Sequence, residues 1–130
     1  MPPPPKPPST EPAIRVVMMP RETNAQGTIF GGVILSLIDQ AAYVEANRQA
    51  THMYVTVAMN AVEFHEPVFV GDVLSLYAET TRVGRTSLTI KIRVLAARRE
   101  RPEVGIEVTE AEVVFVAWDE NRKAIPVISA

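Results

Sequence analysis

Three features predict an α+β protein in which an antiparallel sheet wraps around one long helix. A single run, residues 33–49, carries apolar side chains at helical spacing. After Thr51 the period changes to alternation, and the chain stays strand-like as far as Trp118. Turn signals such as Gly71-Asp72 and Val83-Gly84-Arg85 separate the strand segments by a few residues, as a meander requires. At 130 residues the chain is sized for one domain.

Residues 1–12 hold seven of the eleven prolines. Proline lacks the N–H donor, so this stretch is expected to be a disordered, extended tail, with residues 13–130 forming the domain. A ligand for a proline-binding module is the functional alternative. Residues 14–19 read as a short strand ended by Pro20, and residues 21–28 as a polar loop. Gly31-Gly32 then opens the helix. Its apolar positions (Val33, Ile34, Leu37, Ile38, Ala41, Ala42 and Val44) cover most of the circumference, which predicts extensive burial. Residues 54–64 and 73–81 read as strands. The cleanest alternation follows: Leu88, Ile90, Ile92 and Val94 against Ser87, Thr89, Lys91 and Arg93. The last strand, 106–118, loses phase around 110–113, which predicts a bulge there. One helix covers one sheet face. The strand residues left over still include Val, Leu and Ile, so a partner subunit is expected.

Composition excludes several classes. The formal net charge is −2, without the basic excess of a nucleic-acid protein. The absence of cysteine rules out disulfides, thiolate metal sites and a Cys nucleophile. No apolar run reaches membrane-spanning length, and the N-terminus lacks a secretory pattern, so a cytoplasmic location is expected. His52 and His65 stand apart without an acid or Cys cluster at ligand spacing, so no metal site is expected.

Asp39 lies near the middle of the most apolar helix. A buried carboxylate is costly unless paired or used, and desolvation suits it to work as a base near neutrality. A structural aspartate bonded to backbone or to another chain is an equally open reading. Gly31 and Gly32 stand where a helix start offers unpaired N–H groups to an oxyanion, or they form a simple turn. Asn24 can orient a water or a carbonyl through its amide; in a loop it also suits a turn. Gly84, Arg85, Thr86 and Ser87 could face a phosphate with Arg98 and Arg99, although on these residues alone an ordinary hairpin with a solvated surface pair is the better reading.

Residues 19–46, MPRETNAQGTIFGGVILSLIDQAAYVEA, resemble the signature of hotdog-fold acyl-CoA thioester hydrolases, in the branch of bacterial short- and medium-chain enzymes and brain-type cytosolic enzymes. The pattern is Met-x-Pro, Thr-Asn-x-x-Gly, Phe-Gly-Gly, then an Asp seven residues on. The likeness continues through Val62-Glu63-Phe64, Pro67-Val68, Val70-Gly71-Asp72 and the turn at Gly84 to the region of Trp118. It implies a hotdog fold and hydrolysis of acyl-CoA to free acid and CoA, with no cofactor beyond the substrate's own CoA. It assigns Asp39 as base or nucleophile, Asn24 as its partner from another subunit, and Gly31-Gly32 as the carbonyl-polarising helix start. Gly84, Arg85, Thr86 and Ser87, and more loosely Arg98 and Arg99, become CoA contacts. It further implies a homo-oligomer, at least a dimer and in many relatives a hexamer, with neither nucleic acid nor membrane as partner. The chain departs from the pattern in its proline tail and at His65-Glu66. A non-catalytic acyl-CoA-binding protein and a hydratase or dehydratase are the alternatives on the same fold.

Overall fold

In a computed structural model, residues 4–128 are described. They form β1 (Ile14–Val17), α1 (Gly31–Gln49), β2 (Met53–Phe64), β3 (Val73–Val83), β4 (Ser87–Ala97) and β5 (Gly105–Trp118). The sheet is antiparallel, in the order β1-β3-β4-β5-β2. The α+β hotdog architecture is therefore the observed one.

The core follows from the alternation. Leu88, Ile90, Ile92 and Val94 of β4 are fully buried, and in register they flank Phe115, Val113, Ala111 and Thr109 of β5. Ile34, Ile38, Ala41, Ala42 and Ala46 of α1 belong to the same buried cluster. Truncating a core residue such as Ile38 to Ala costs roughly 2–5 kcal/mol. The helix is less buried than its composition suggests: Tyr43 and Val44 remain 45% and 48% exposed in the single chain.

The bulge in β5 lies earlier than expected. Val94 pairs with Thr109 but Leu95 with Glu107, which leaves Val108 as the extra residue. Thr109, Ala111, Val113, Phe115 and Ala117 are then buried in unbroken alternation. The alternation of polarity fades after 110–113 because Val114 and Val116 are apolar on the opposite, half-buried face.

Residues 4–12 have no regular structure, and residues 1–3 of the proline-rich stretch lie outside the described residues. Part of the segment is nonetheless held. The Lys6 amide donates to Gln49 Oε1 at 2.8 Å, the Lys6 ammonium to the Arg48 carbonyl at 3.1 Å, and the Arg48 guanidinium to the Pro7 carbonyl at 2.8 Å. Arg48 and Gln49 in turn grip Glu45, a carboxylate only 3% exposed, which also accepts from Thr80 Oγ1 at 2.7 Å. Burial pushes the Glu45 carboxyl upward. The hydrogen bonds from Arg48, Gln49 and Thr80, with the charge of Arg48, outweigh that and hold it below the ordinary carboxylate range. Among the described residues no helix is long and apolar enough to cross a membrane.

Candidate active site

Asp39 is half-buried rather than enclosed. Successive helical residues lie about 100° apart, and the neighbouring Ile38 takes the core-facing position. Asp39 instead stands on the rim of a depression of about 600 Å³ lined by Ile14, Tyr43, Val44, Tyr54, Thr56 and Phe115, among others. Tyr43, Tyr54 and Phe115 form its aromatic floor, with ring centroids 5.9–6.4 Å apart. The Tyr54 hydroxyl donates to the Ala50 carbonyl at 2.6 Å, and burial, with Tyr43 beside it, pushes its pKa up to about 12.

Thr56 Oγ1 donates to Asp39 Oδ1 at 2.7 Å, and among the described residues Oδ2 has no hydrogen-bond partner. One oxygen is thus fixed while the other is open to a water or a carbonyl. Sequence reasoning missed Thr56, Tyr43, Tyr54 and Phe115. Thr56 is seventeen residues from Asp39, and only the return of β2 beside the helix brings them together. Neither histidine lines this depression. The His52 Nε2 is 2.7 Å from the Val127 carbonyl oxygen.

The other expected site residues are distributed differently. Asn24 serves its own turn: its Oδ1 accepts from the amides of Gln26 and Thr28 at 2.9 and 3.1 Å, and its Nδ2 donates to Thr28 Oγ1 at 2.9 Å. Gly27, at φ +85°, closes that turn. The Asn24 amide keeps one N–H for another partner. Gly31 lines a separate depression with Thr28, Ile34, Phe64, His65 and Pro67. The helix start has no side-chain cap, so the first amides of α1, those of Gly31 and Gly32 included, are among the groups an α-helix leaves unpaired. At 1.5 Å per residue, Gly32 is roughly 10 Å along the axis from Asp39. Within one chain the helix start and the carboxylate therefore do not converge.

Gly84, Arg85, Thr86 and Ser87 form the turn entering β4. The Gly84 amide donates to the Ser87 carbonyl at 2.8 Å, and Arg85 is exposed. The C-terminal segment folds back onto this turn through the Val127 amide and the Arg85 carbonyl, 2.9 Å. Arg98 and Arg99 stand beyond the other end of β4, about 35 Å of extended strand away. Arg98 is not a free cation. It donates to Asp72 Oδ2 at 2.6 Å and to the Pro67 carbonyl at 3.0 Å, and lies 4.9 Å over the Phe69 ring. Arg99 is exposed and packs its Cδ on Gly71, whose φ of +89° and lack of a Cβ make room for it.

Residues 26–103 match the thioesterase superfamily. The chain is 50% identical over 117 residues to an uncharacterised acyl-CoA thioester hydrolase of Zymomonas mobilis, covering 89% of this chain and 77% of that one. It is 36% identical to the acyl-CoA thioester hydrolase YciA of Salmonella typhimurium, over 92% of this chain and 91% of that one. Among solved structures, a hexameric hotdog fold thioesterase of Campylobacter jejuni superposes with a TM-score of 0.85 at 39% identity, covering 91% of this chain and 90% of the other. With a sheet wrapped on one helix and a carboxylate at the rim of an aromatic depression, the chain belongs to the thioesterase superfamily, within its hotdog-fold acyl-CoA thioester hydrolases.

Proposed function

We propose that the protein hydrolyses acyl-CoA to a free carboxylic acid and CoA, at a site shared by two chains. The observation that carries this is Asp39: one oxygen is held by Thr56, the other is open, and an apolar depression able to take an acyl chain lies beside it. In this reading Asp39 takes a proton from water as the water oxygen attacks the thioester carbonyl. Amides at Gly31 and Gly32 stabilise the oxyanion, and its collapse expels the CoA sulfur, which receives the proton. Direct attack by the Asp39 carboxylate is the variant of the same scheme. Arg85, with its turn, meets the CoA phosphates.

Distance supports sharing. The amides and the carboxylate are separated by about two helical turns, and a partner related by a two-fold axis would bring one to the other. Asn24 of one chain then offers its remaining N–H beside Asp39 of the other. β2 supports a partner subunit as well. It is an edge strand carrying exposed Met53, Val57 and Phe64, an edge that proteins normally cover. The hexameric assembly of the C. jejuni relative supports a homo-oligomer here, with a dimer as the minimum and a hexamer as the proposed form. A cytoplasmic location is part of the same proposal.

The test is complementation. Asn24→Ala and Asp39→Ala homodimers are each expected to lose nearly all acyl-CoA hydrolysis, read as free-thiol release; the chain has no cysteine of its own to interfere. On co-expression, mixed dimers hold one intact site and one doubly broken site, so activity recovers to roughly a quarter of wild type with random pairing. A mixture that stays inactive places both residues of a site on one chain. Wild-type turnover in folded Asp39→Ala removes Asp39 from the chemistry.

A further inference from the structure

A second cluster of chemically capable side chains stands away from Asp39, at the far end of β2. In the register of the sheet Glu63 lies directly opposite Glu110 of β5. Like charges facing each other across strands destabilise a sheet unless something positive lies between them. His65, just past the strand, is pinned by its own amide, which donates to the Val108 carbonyl at 2.8 Å. That carbonyl belongs to the extra residue of the β5 bulge. A second irregularity, between Asn60 and Glu63 of β2, sits beside the same place and includes Ala61 at φ +50°. The two bulges turn three side chains toward one point.

The His65 Nε2 is 3.7 Å from Glu63 Oε2 and 3.7 Å from Glu110 Oε2, and the three potential donor atoms lie within 4.8 Å of one another. These separations are too long for hydrogen bonds. Two donors about 2.0–2.1 Å from one tetrahedral ion are roughly 3.4 Å apart, so each His–Glu pair needs to close by about 0.3 Å, and the two carboxylates, which lie within 4.8 Å of each other, by up to about 1.4 Å, through rotation of the exposed Glu63 and the half-buried Glu110 side chains. Arg93 stands directly opposite Glu110 in the register of β4 and β5, but its guanidinium donates to Glu107, at 3.3 and 3.4 Å. Among the described residues neither Glu63 nor Glu110 has a Lys or Arg salt bridge.

We infer that Glu63, His65 and Glu110 form a surface site for a divalent first-row transition ion of the zinc type. One imidazole and two carboxylates supply three ligands, and exposure leaves the fourth position to water. The imidazole directs the site toward zinc-like ions and away from Mg²⁺ and Ca²⁺, which take oxygen ligands. Spacing along the sequence does not reveal this group, because Glu110 arrives from a strand 45 residues further along the chain than His65.

The test is calorimetric titration of untagged, chelator-treated full-length protein with Zn²⁺, beside Co²⁺ titration followed by visible absorption. One saturable site per chain is expected. Losing an outer-shell partner already weakens metal sites about tenfold, so His65→Ala and Glu110→Gln are each expected to weaken binding at least that much, with unchanged circular dichroism. With no cysteine and one other histidine, His52, the signal has few alternative sources. His52→Ala is expected to leave binding intact. Binding that survives His65→Ala, binding lost in His52→Ala, no saturation below millimolar Zn²⁺, or equal affinity for Mg²⁺ each overturns the assignment.

Discussion

Replacing Arg98 with alanine is expected to damage the fold rather than substrate binding. The guanidinium bridges Asp72 and the Pro67 carbonyl, with the two side chains only 16% and 4% exposed. Breaking a buried pair by removing one partner costs about 3–5 kcal/mol. Here the Asp72 carboxylate keeps the Phe69 amide, a bond of 2.9 Å, and water reaches part of the vacated space. A loss of about 2–3 kcal/mol is the better figure. For a domain of this size each kcal/mol moves Tm by roughly 4 °C, so Arg98→Ala is expected to melt about 8–12 °C below wild type at equal protein concentration. The assay is thermal unfolding by circular dichroism, paired with steady-state kinetics at a temperature where both proteins are folded. KM for acyl-CoA is expected to change little. If Tm moves by less than about 2 °C while KM rises severalfold, the guanidinium is serving the substrate and the reasoning fails.

Arg85→Ala is the converse case: exposed and at a turn, it is expected to raise KM at low salt, with Tm and kcat nearly unchanged, and the difference is expected to shrink as salt is added. Equal KM values at low salt would place the CoA phosphates elsewhere. Thr56→Val removes the hydroxyl that holds Asp39; for an exposed hydrogen bond to a carboxylate, about 1 kcal/mol or slightly more predicts a roughly five- to tenfold drop in kcat. Recovery in Thr56→Ser but not in Thr56→Val separates positioning from packing. Glu45→Gln is expected to be less stable at neutral pH. Because the folded Glu45 carboxyl is held below its ordinary value of 4.5, its contribution is complete above that pH and is lost as pH falls through the folded value. The Tm gap between wild type and Glu45→Gln is therefore expected to narrow below pH 4.5, and a gap independent of pH would refute the linkage.

Local periodicity carried much of the architecture. The alternation from Leu88 to Val94 marks β4 because each residue on that face meets α1 or its neighbours, and the Gly-Gly before an apolar run marks the start of α1. What was illegible depends on distant pairing. Nothing around Thr56 separates it from the other threonines until β2 returns beside Asp39. The burial expected at Asp39 belongs to Glu45, which can be sheltered because Arg48 and Gln49 follow it one helical turn later and Thr80 arrives from β3. Arg98 and Arg99 look alike in sequence, yet one is locked against Asp72 and the other lies on the surface. The loss of phase at 110–113 points to a bulge in the wrong place because alternation in a sequence reports polarity. A strand with apolar residues on both faces reports its phase poorly.

The span between the start of α1 and Asp39 has a kinetic consequence. With shared sites, a newly made chain is inert and becomes an enzyme only on pairing. Specific activity then falls with dilution once the concentration drops below the dimer dissociation constant, and acyl-CoA bound across the interface slows that loss. Progress curves started from a concentrated stock would bend downward as dimers separate, and those started from a dilute stock with added substrate would show a lag. The cell would gain thioester-cleaving capacity more steeply than in proportion to the number of chains it makes, in the range where pairing is incomplete.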